Sequence, residues 1–413
     1  MTDLTTKISA FLEPQMLLSI LDFQANNSDF QKNDVLKQKL EVLKTTHLLE
    51  LRNQVHKQLN SKDLPNLKEL QKELSSQKKD WDIKFEKISK FIQNPNTLQQ
   101  IKQNPIAFKQ SIDPSILTDL YDYALFQYSV GEYKVTSEAL YHYRILSNDT
   151  KQIFSSLWGK IASEILLKNW DVAFEDLYIL KDLLDSSSED QKVLVHNRSW
   201  LLHWSLVIFF NHPKGKDAFL DLCLLPNYLN AIQTVCPWIL RYVTAAMIMS
   251  SKKYRYQLKD LIVILSQEIH QYCDPLINLI QSLAINFDFN EAIKNLKDCV
   301  EFVKKDYYLV KDSEPLLESC RVYFFEHYCR IHQTVTLDNL AKLLILPSKN
   351  MESWVNKAVQ ETRLEVRISK GSVERVFTSH TVFRQIQDKT KPLNQKSQQI
   401  INAIEKKSGV ECA

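Results

Sequence analysis

The sequence predicts a mostly α-helical chain: a right-handed solenoid of tetratricopeptide-like helical hairpins, then a winged-helix subdomain, then a C-terminal helix. Three observations predict it. Only five of 413 residues are glycine, too few for the tight turns and close backbone approaches of a doubly wound fold. A turn signature of aromatic, small residue and leucine recurs at helix starts. Near the C-terminus, three helical stripes give way to β-branched residues in the order of a winged helix.

Taken in order, residues 1–112 form an N-terminal helical region. Leu4, Ile8, Phe11 and Leu12 recur at helical spacing behind a cap at Asp3 or Thr5, and Pro14 separates that helix from the next, which carries Leu17, Leu18 and Leu21. Leu36, Leu40 and Leu43, then Leu48, Leu51, Val55 and Leu59, predict two further short helices. From Pro65 to Ile92, Leu67, Leu74, Trp81 and Ile88 repeat every seven residues, with Leu70 and Phe91 in the alternate seam. One seam cannot bury itself, so this helix needs a partner, and packing within the chain is the simpler source. Prolines 95, 105 and 114 mark a connector.

Residues 113–314 carry the repeats. In LYDYALFQYSVGEY one helix ends near Gly131 and another begins at Tyr133. The same event occurs at Asn169 and Trp170, and again at Phe289. Each start places an aromatic, a small residue three on and a leucine four further: Tyr133/Thr136/Leu140, Trp170/Ala173/Leu177 and Phe289/Ala292/Leu296. Tyr133 and Trp170 are 37 residues apart, near the period of about 34 of tetratricopeptide hairpins. The small residue lets two helices approach, while the aromatic and the leucine wedge between neighbouring hairpins.

Residues 315–380 read as the winged helix. A long helix runs from Leu316 to about His332, a second from a Thr336 cap to Leu344, and a third from Lys349 to Thr362. Val366, Ile368, a Lys370-Gly371 turn, Val373, Val376 and Phe377 then predict a β-hairpin. Residues 381–413 form a tail whose helix, Val382 to Lys407, is expected to break at Pro392.

Composition and motifs argue against an enzyme. No P-loop, GxGxxG, GxSxG or HExxH occurs. His327, Cys329 and His332 are the densest set of metal-ligating residues, but only Cys329 and His332 share a helix face, so core packing explains them better. No cofactor is expected. The seven cysteines stand singly, which suits a reducing compartment, and no apolar run reads as a membrane span. A formal net charge of +3 does not suggest coating of nucleic acid by charge. Lys252, Lys253, Arg255 and Lys259, interleaved with Tyr254 and Tyr256, are a candidate RNA contact. The third wing helix mixes Lys349, Lys357 and Arg363 with Glu352 and Glu361, which favours a protein interface over a DNA-reading helix. The interface residues expected on the hairpin are Val366, Ile368, Val373 and Val376.

Helical hairpins feeding a winged helix resemble the PCI family, the scaffold subunits of the proteasome lid, the COP9 signalosome and translation initiation factor 3. DLTTKISAFLEPQMLLSILDF from Asp3, SLWGKIASEILLKNWDVAFEDL from Ser156, RSWLLHWSLVIFFNHPKGKD from Arg198, YLNAIQTVCPWILRYVTAA from Tyr228 and DKTKPLNQKSQQIINAIEKK from Asp388 resemble more closely the E-subunit family of eukaryotic translation initiation factor 3. The resemblance implies a non-catalytic, cytoplasmic scaffold. In that family the wing joins other PCI subunits, the N-terminal region contacts the factor's D subunit, and the complex binds the small ribosomal subunit and recruits mRNA. A proteasome-lid or signalosome scaffold, and a winged-helix nucleic-acid-binding protein, are the alternatives.

Overall fold

A computed structural model of the chain describes residues 4–27, 31–59, 67–93, 114–250, 253–254, 256–347, 350–362, 364, 366–369, 371–375 and 380–408. The chain divides into two compact units, Met1–Ser319 and Cys320–Ala413.

The first unit is helical throughout its described residues. It opens with α1 (Thr5–Ser9), α2 (Pro14–Asn26), α3 (Lys32–Lys44) and α4 (Leu49–Gln58). Pro14 sits at the first position of α2, where its missing N–H costs nothing. Leu18, Leu36, Leu43 and Val55 form the buried core of this group. Leu4 takes the N-cap position of α1 without a side-chain bond, and Thr5 is already helical; Asp3 lies outside the described residues. The long helix α5 (Leu67–Gln93) finds its partner in the chain's own α6 (Pro114–Val130). Phe85 stacks on Tyr123 with ring centres 4.4 Å apart, and Trp81 lies 6.4 Å from Phe126. The side chains of Leu67, Leu70, Ile88 and Phe91, and residues 94–113 of the expected connector from Asn94 to Pro114, lie outside the described residues; Pro114 itself opens α6.

The hairpins follow as expected. Helix α6 packs on α7 (Tyr133–Leu146), α7 on α8 (Thr150–Leu167), and α8 on α9 (Trp170–Ser186). Helix α10 (Gln191–Phe209) comes next, then α11 (Gly215–Cys223), α12 (Pro226–Thr234), α13 (Leu240–Met249), α14 (Gln257–Glu268), α15 (Pro275–Gln281) and α16 (Phe289–Lys305). The small residues Thr136, Ala173 and Ala292 are buried, as are Leu140, Leu177 and Leu296. The aromatics Tyr133, Trp170 and Phe289 are only partly buried, so the leucine is the deeper wedge. Two residues before each aromatic the backbone turns left-handed: Gly131 at φ 98°, Lys168 at φ 63° and Phe287 at φ 54°. A left-handed residue ends a helix and redirects the chain, a conformation that costs a non-glycine residue about 1 kcal/mol or more.

Two contacts fasten distant parts of this unit. The Phe11 ring, just after α1, stacks on His203 of α10 with centres 4.3 Å apart, and the Phe11 carbonyl accepts from Trp204 Nε1 at 3.0 Å. Arg241 of α13 is buried and paired twice. It reaches Asp274 through Nε and Nη2 (2.9 and 3.0 Å) and Asp306 through Nη1 (2.8 Å). The second oxygen of Asp306 accepts the N–H groups of Tyr308 and Leu309.

Helix α17 (Ser313–Ile331) carries the chain into the second unit, which holds α18 (Leu337–Leu344), α19 (Met351–Thr362), α20 (His380–Ser408) and a three-stranded antiparallel sheet. The strands are β1 (Thr334–Thr336), β2 (Val366–Ser369) and β3 (Ser372–Arg375), in the order β1-β3-β2. Helices and hairpin match expectation, and β1 is an addition. Thr336 occupies the N-cap position of α18 but makes no cap bond. It ends β1 instead, and the first helical N–H, that of Leu337, is satisfied by the Gly371 carbonyl at 2.9 Å. The expected break at Pro392 does not occur: α20 runs through it. An interior proline loses its bond to the carbonyl four residues back and its ring crowds that carbonyl, which can tilt out to water on a helix whose neighbouring residues are exposed. Among the described residues no single helix is long and apolar enough to cross a membrane; Pro226–Thr234 and Pro237–Met249 form a pair bent by 114° that passes on composition.

Candidate interaction surface on the wing

The wing is held from its inner face. Val335 and Val373 are buried, and so are Leu340, Leu344, Val355 and Ala358 of α18 and α19. Phe325 of α17 meets Trp354 edge to face at 5.7 Å. Arg321 Nε donates to the Leu344 carbonyl at 3.2 Å, where α18 ends on the left-handed Ile345.

The sheet register decides which backbone groups face outward. Thr334, Val335 and Thr336 of β1 lie opposite Glu374, Val373 and Ser372. On the other side of β3, Val366, Arg367, Ile368 and Ser369 lie opposite Arg375, Glu374, Val373 and Ser372. Arg375 donates its N–H to Gln333 at 2.9 Å and Gly371 accepts from Leu337, so the odd-numbered residues of β3 turn their bonds towards β1. The even-numbered residues, Ser372 and Glu374, therefore bond to Ser369 and Arg367 of β2. Val366 and Ile368 are left pointing their N–H and C=O groups away from the sheet. Val366 spends its N–H on the Leu364 carbonyl at 3.1 Å. Ile368 is the outward donor of an edge with no strand beyond it among the described residues.

The four expected hairpin residues thus separate. Val366 and Ile368 are half-buried on the free edge. Val373 lies on the central strand with partners on both sides and is buried, so it serves the wing's core. Val376 lies outside the described residues. The exposed positions of α19 are Glu352, Ser353, Asn356, Lys357 and Gln360, one charge of each sign, which offers no cationic face to phosphates.

The second expected site is only partly assembled. Lys253 Nζ pairs with Asp217 at 3.0 Å and lies 4.9 Å from the Tyr254 ring centre. Tyr254 is buried, with its hydroxyl donating to Asp221 at 2.8 Å, so it presents no face for a base. Lys259 and Tyr256 are exposed, and Lys252 and Arg255 lie outside the described residues.

Sequence reasoning missed two features. Strand β1 had a signal, the Thr-Val-Thr run after the long helix, but three residues are short for a periodicity. The Arg241–Asp274–Asp306 network had none, because its partners are 33 and 65 residues apart in the chain. His327 and His332 lie against the rings of Tyr323 and Tyr328 at 4.3 and 4.2 Å, and Cys329 is buried. The buried His203 accepts from Trp238 Nε1 at Nε2 (3.0 Å), so its proton is on Nδ1, donated to the Ser199 carbonyl at 2.6 Å. Burial, opposed by that backbone bond, pulls its pKa down to about 4.

Comparison with known proteins bears on both ends of this architecture. A family model described as "eIF3 subunit 6 N terminal domain" matches residues 3–127, and one described as "PCI domain" matches residues 296–376. A protein of Emericella nidulans, named as the E subunit of eukaryotic translation initiation factor 3, is 33% identical over 407 residues, covering 94% of this chain and 90% of the relative. Proteins of the same name from Yarrowia lipolytica and Arabidopsis thaliana are 32% and 34% identical. They cover 97% of this chain in both cases and 98% and 96% of the relatives.

Proposed function

We propose that this chain, which belongs to the E-subunit family of eukaryotic translation initiation factor 3, is a non-catalytic scaffold subunit of an initiation factor 3 complex. Its wing pairs with the wings of other PCI subunits through Val366 and Ile368, and its N-terminal region meets the factor's D subunit. The assembled complex binds the small ribosomal subunit and promotes mRNA recruitment in the cytoplasm. The role needs no cofactor: its work is the burial of apolar surface and the pairing of strand edges. The domains divide the labour, with 1–112 and the repeats of 113–314 as extended contact surface, 315–380 as the joint and 381–413 as a further helical arm.

The free edge of β2 carries this reading. A strand edge with an outward donor at Ile368, beside a third helix of balanced charge, suits pairing with another protein better than reading of a nucleic acid. RNA contact at Lys252, Lys253, Arg255 and Lys259 is a secondary expectation, supported by the exposure of Lys259 and Tyr256.

Tandem purification of the full chain followed by mass spectrometry tests the assignment. Recovery of sibling initiation factor 3 subunits together with small ribosomal subunits is expected. Recovery of proteasome-lid or signalosome subunits instead, or of the chain alone on duplex DNA, would overturn it.

A further inference from the structure

The three hairpin turns that close on a left-handed residue are alike in plan and differ in one place. After α6, the N–H of Glu132 reaches back to the Gln127 carbonyl (3.0 Å); after α8, the N–H of Asn169 reaches the Glu164 carbonyl (3.0 Å). Both bonds span five residues. Before α16, the N–H of Asp288 reaches the Ser282 carbonyl at 2.9 Å, a span of six. One additional residue has been taken up in this turn, and Ser282–Asn286 accordingly winds as a π-helix. The left-handed position is Gly131 in the first turn and Lys168 in the second. In the third it is Phe287, at φ 54° and 54% exposed, with Ile285 beside it at 41%.

Each feature is a departure that the fold does not require. Glycine or asparagine would close the same turn without strain. A bulky side chain in the left-handed region is an outlier, and such outliers persist where the strained group has a use. An aromatic held half in water by a strained, lengthened turn has given up stability and burial together. The charges nearby indicate what covers it. Asp288 and Glu291 follow within four residues and are exposed, so phosphates would be repelled and a basic protein surface attracted.

We infer that Phe287, with Ile285, is an anchor that inserts into an apolar, basic-rimmed pocket on a sibling protein subunit of the same complex, separate from the wing. The inference rests on the proposed membership of an initiation factor 3 complex. Buried aromatics at the centre of an interface carry a disproportionate share of binding energy, and the turn presents one already oriented, without the entropy of ordering a loop.

The test uses the full chain, co-expressed with the sibling subunits of the factor. Phe287→Asn and Phe287→Gly both accept the left-handed backbone. In the free chain each is expected to leave the thermal midpoint unchanged or raise it. In the assembled complex each is expected to weaken retention of the chain by about tenfold or more. A photo-crosslinking phenylalanine analogue at position 287 is expected to label a sibling subunit. A lowered thermal midpoint with unchanged assembly would make Phe287 a structural residue and overturn the inference, as would labelling of RNA or of nothing. If the unaltered chain joins the complex and Phe287→Asn joins it equally well, the anchor alone fails. If the unaltered chain recovers no sibling subunit, the proposed membership fails with it.

Discussion

Ile368 and Val373 face each other across the β2–β3 ladder, and they differ in what lies on the far side. Val373 has Val335 beyond it and is buried; Ile368 has no further strand among the described residues. A sheet of three short strands in the order β1-β3-β2 has two edges without a further strand among the described residues, β1 and β2, and the β2 edge is the longer. An open edge is a liability unless it is short, charged or used. The β2 edge is four residues long and carries the exposed Arg367, which limits indiscriminate pairing without closing the edge to a matched partner.

The hairpin turns predict opposite responses to small substitutions at equivalent places. Gly131→Ala adds a Cβ that would sit 2.8 Å from Leu48 Cδ2, at a φ of 98°. It should cost about 1–3 kcal/mol. Lys168→Gly relieves the same left-handed strain and should change stability by no more than about 1 kcal/mol, towards stabilisation. Urea denaturation midpoints measure both; a shift of the same sign and size at the two positions would contradict a shared turn geometry.

The buried Arg241 gives a second prediction. Desolvation disfavours its charge, but Tyr242, Asp274 and Asp306 together outweigh that and hold its pKa above the ordinary arginine value. Arg241→Leu strands Asp274 and Asp306 in the interior and should cost about 3–5 kcal/mol. Adding an apolar residue at position 274 and Asp306→Asn, which keeps an acceptor for the N–H groups of Tyr308 and Leu309, should recover part of that loss, because no charge is then left unpaired. Equilibrium unfolding of the single and triple variants separates the two outcomes.

How much of this was legible in advance follows from what each feature depends on. The helical hairpins rest on local patterns, and the aromatic, small and leucine positions of α7, α9 and α16 identify themselves by spacing. The β-hairpin announced itself through alternating Val366, Ile368 and Val373 around Lys370-Gly371. Which of these valines and isoleucines would face a partner was not legible, because it depends on pairing with β1, roughly forty residues upstream in the chain. The Phe287 turn was visible only as a helix start at Phe289, since a sequence does not show a sign of φ. Pro392 misled because the cost of one interior proline, about 3 kcal/mol, is finite, and the residues following it in α20 are exposed, so the freed carbonyl can tilt towards water.

His203 ties stability to pH. Its folded-state pKa, lowered from 6.5 to about 4 by burial, means that the unfolded chain takes up the proton first. The neutral ring's contribution is complete above the unfolded value and is lost as pH falls from about 6.5 towards 4, by up to about 3 kcal/mol. His203→Gln should flatten that slope. Denaturation midpoints at about pH 7.5 and about pH 5, run on both chains, check the difference; an unchanged slope in the variant would assign the pH dependence to other groups.

The most direct test of the scaffold reading substitutes proline at neighbouring positions of β2 and follows assembly with sibling subunits. Ile368→Pro removes an N–H that points away from the sheet, so the wing should fold normally while the chain loses its place in the complex. Arg367→Pro removes an N–H bonded to β3 and should destabilise the wing itself. A folded Ile368→Pro chain that co-sediments with sibling subunits and small ribosomal subunits as well as the unaltered chain does would contradict the edge-pairing account; its loss from the complex with folding intact is the predicted result.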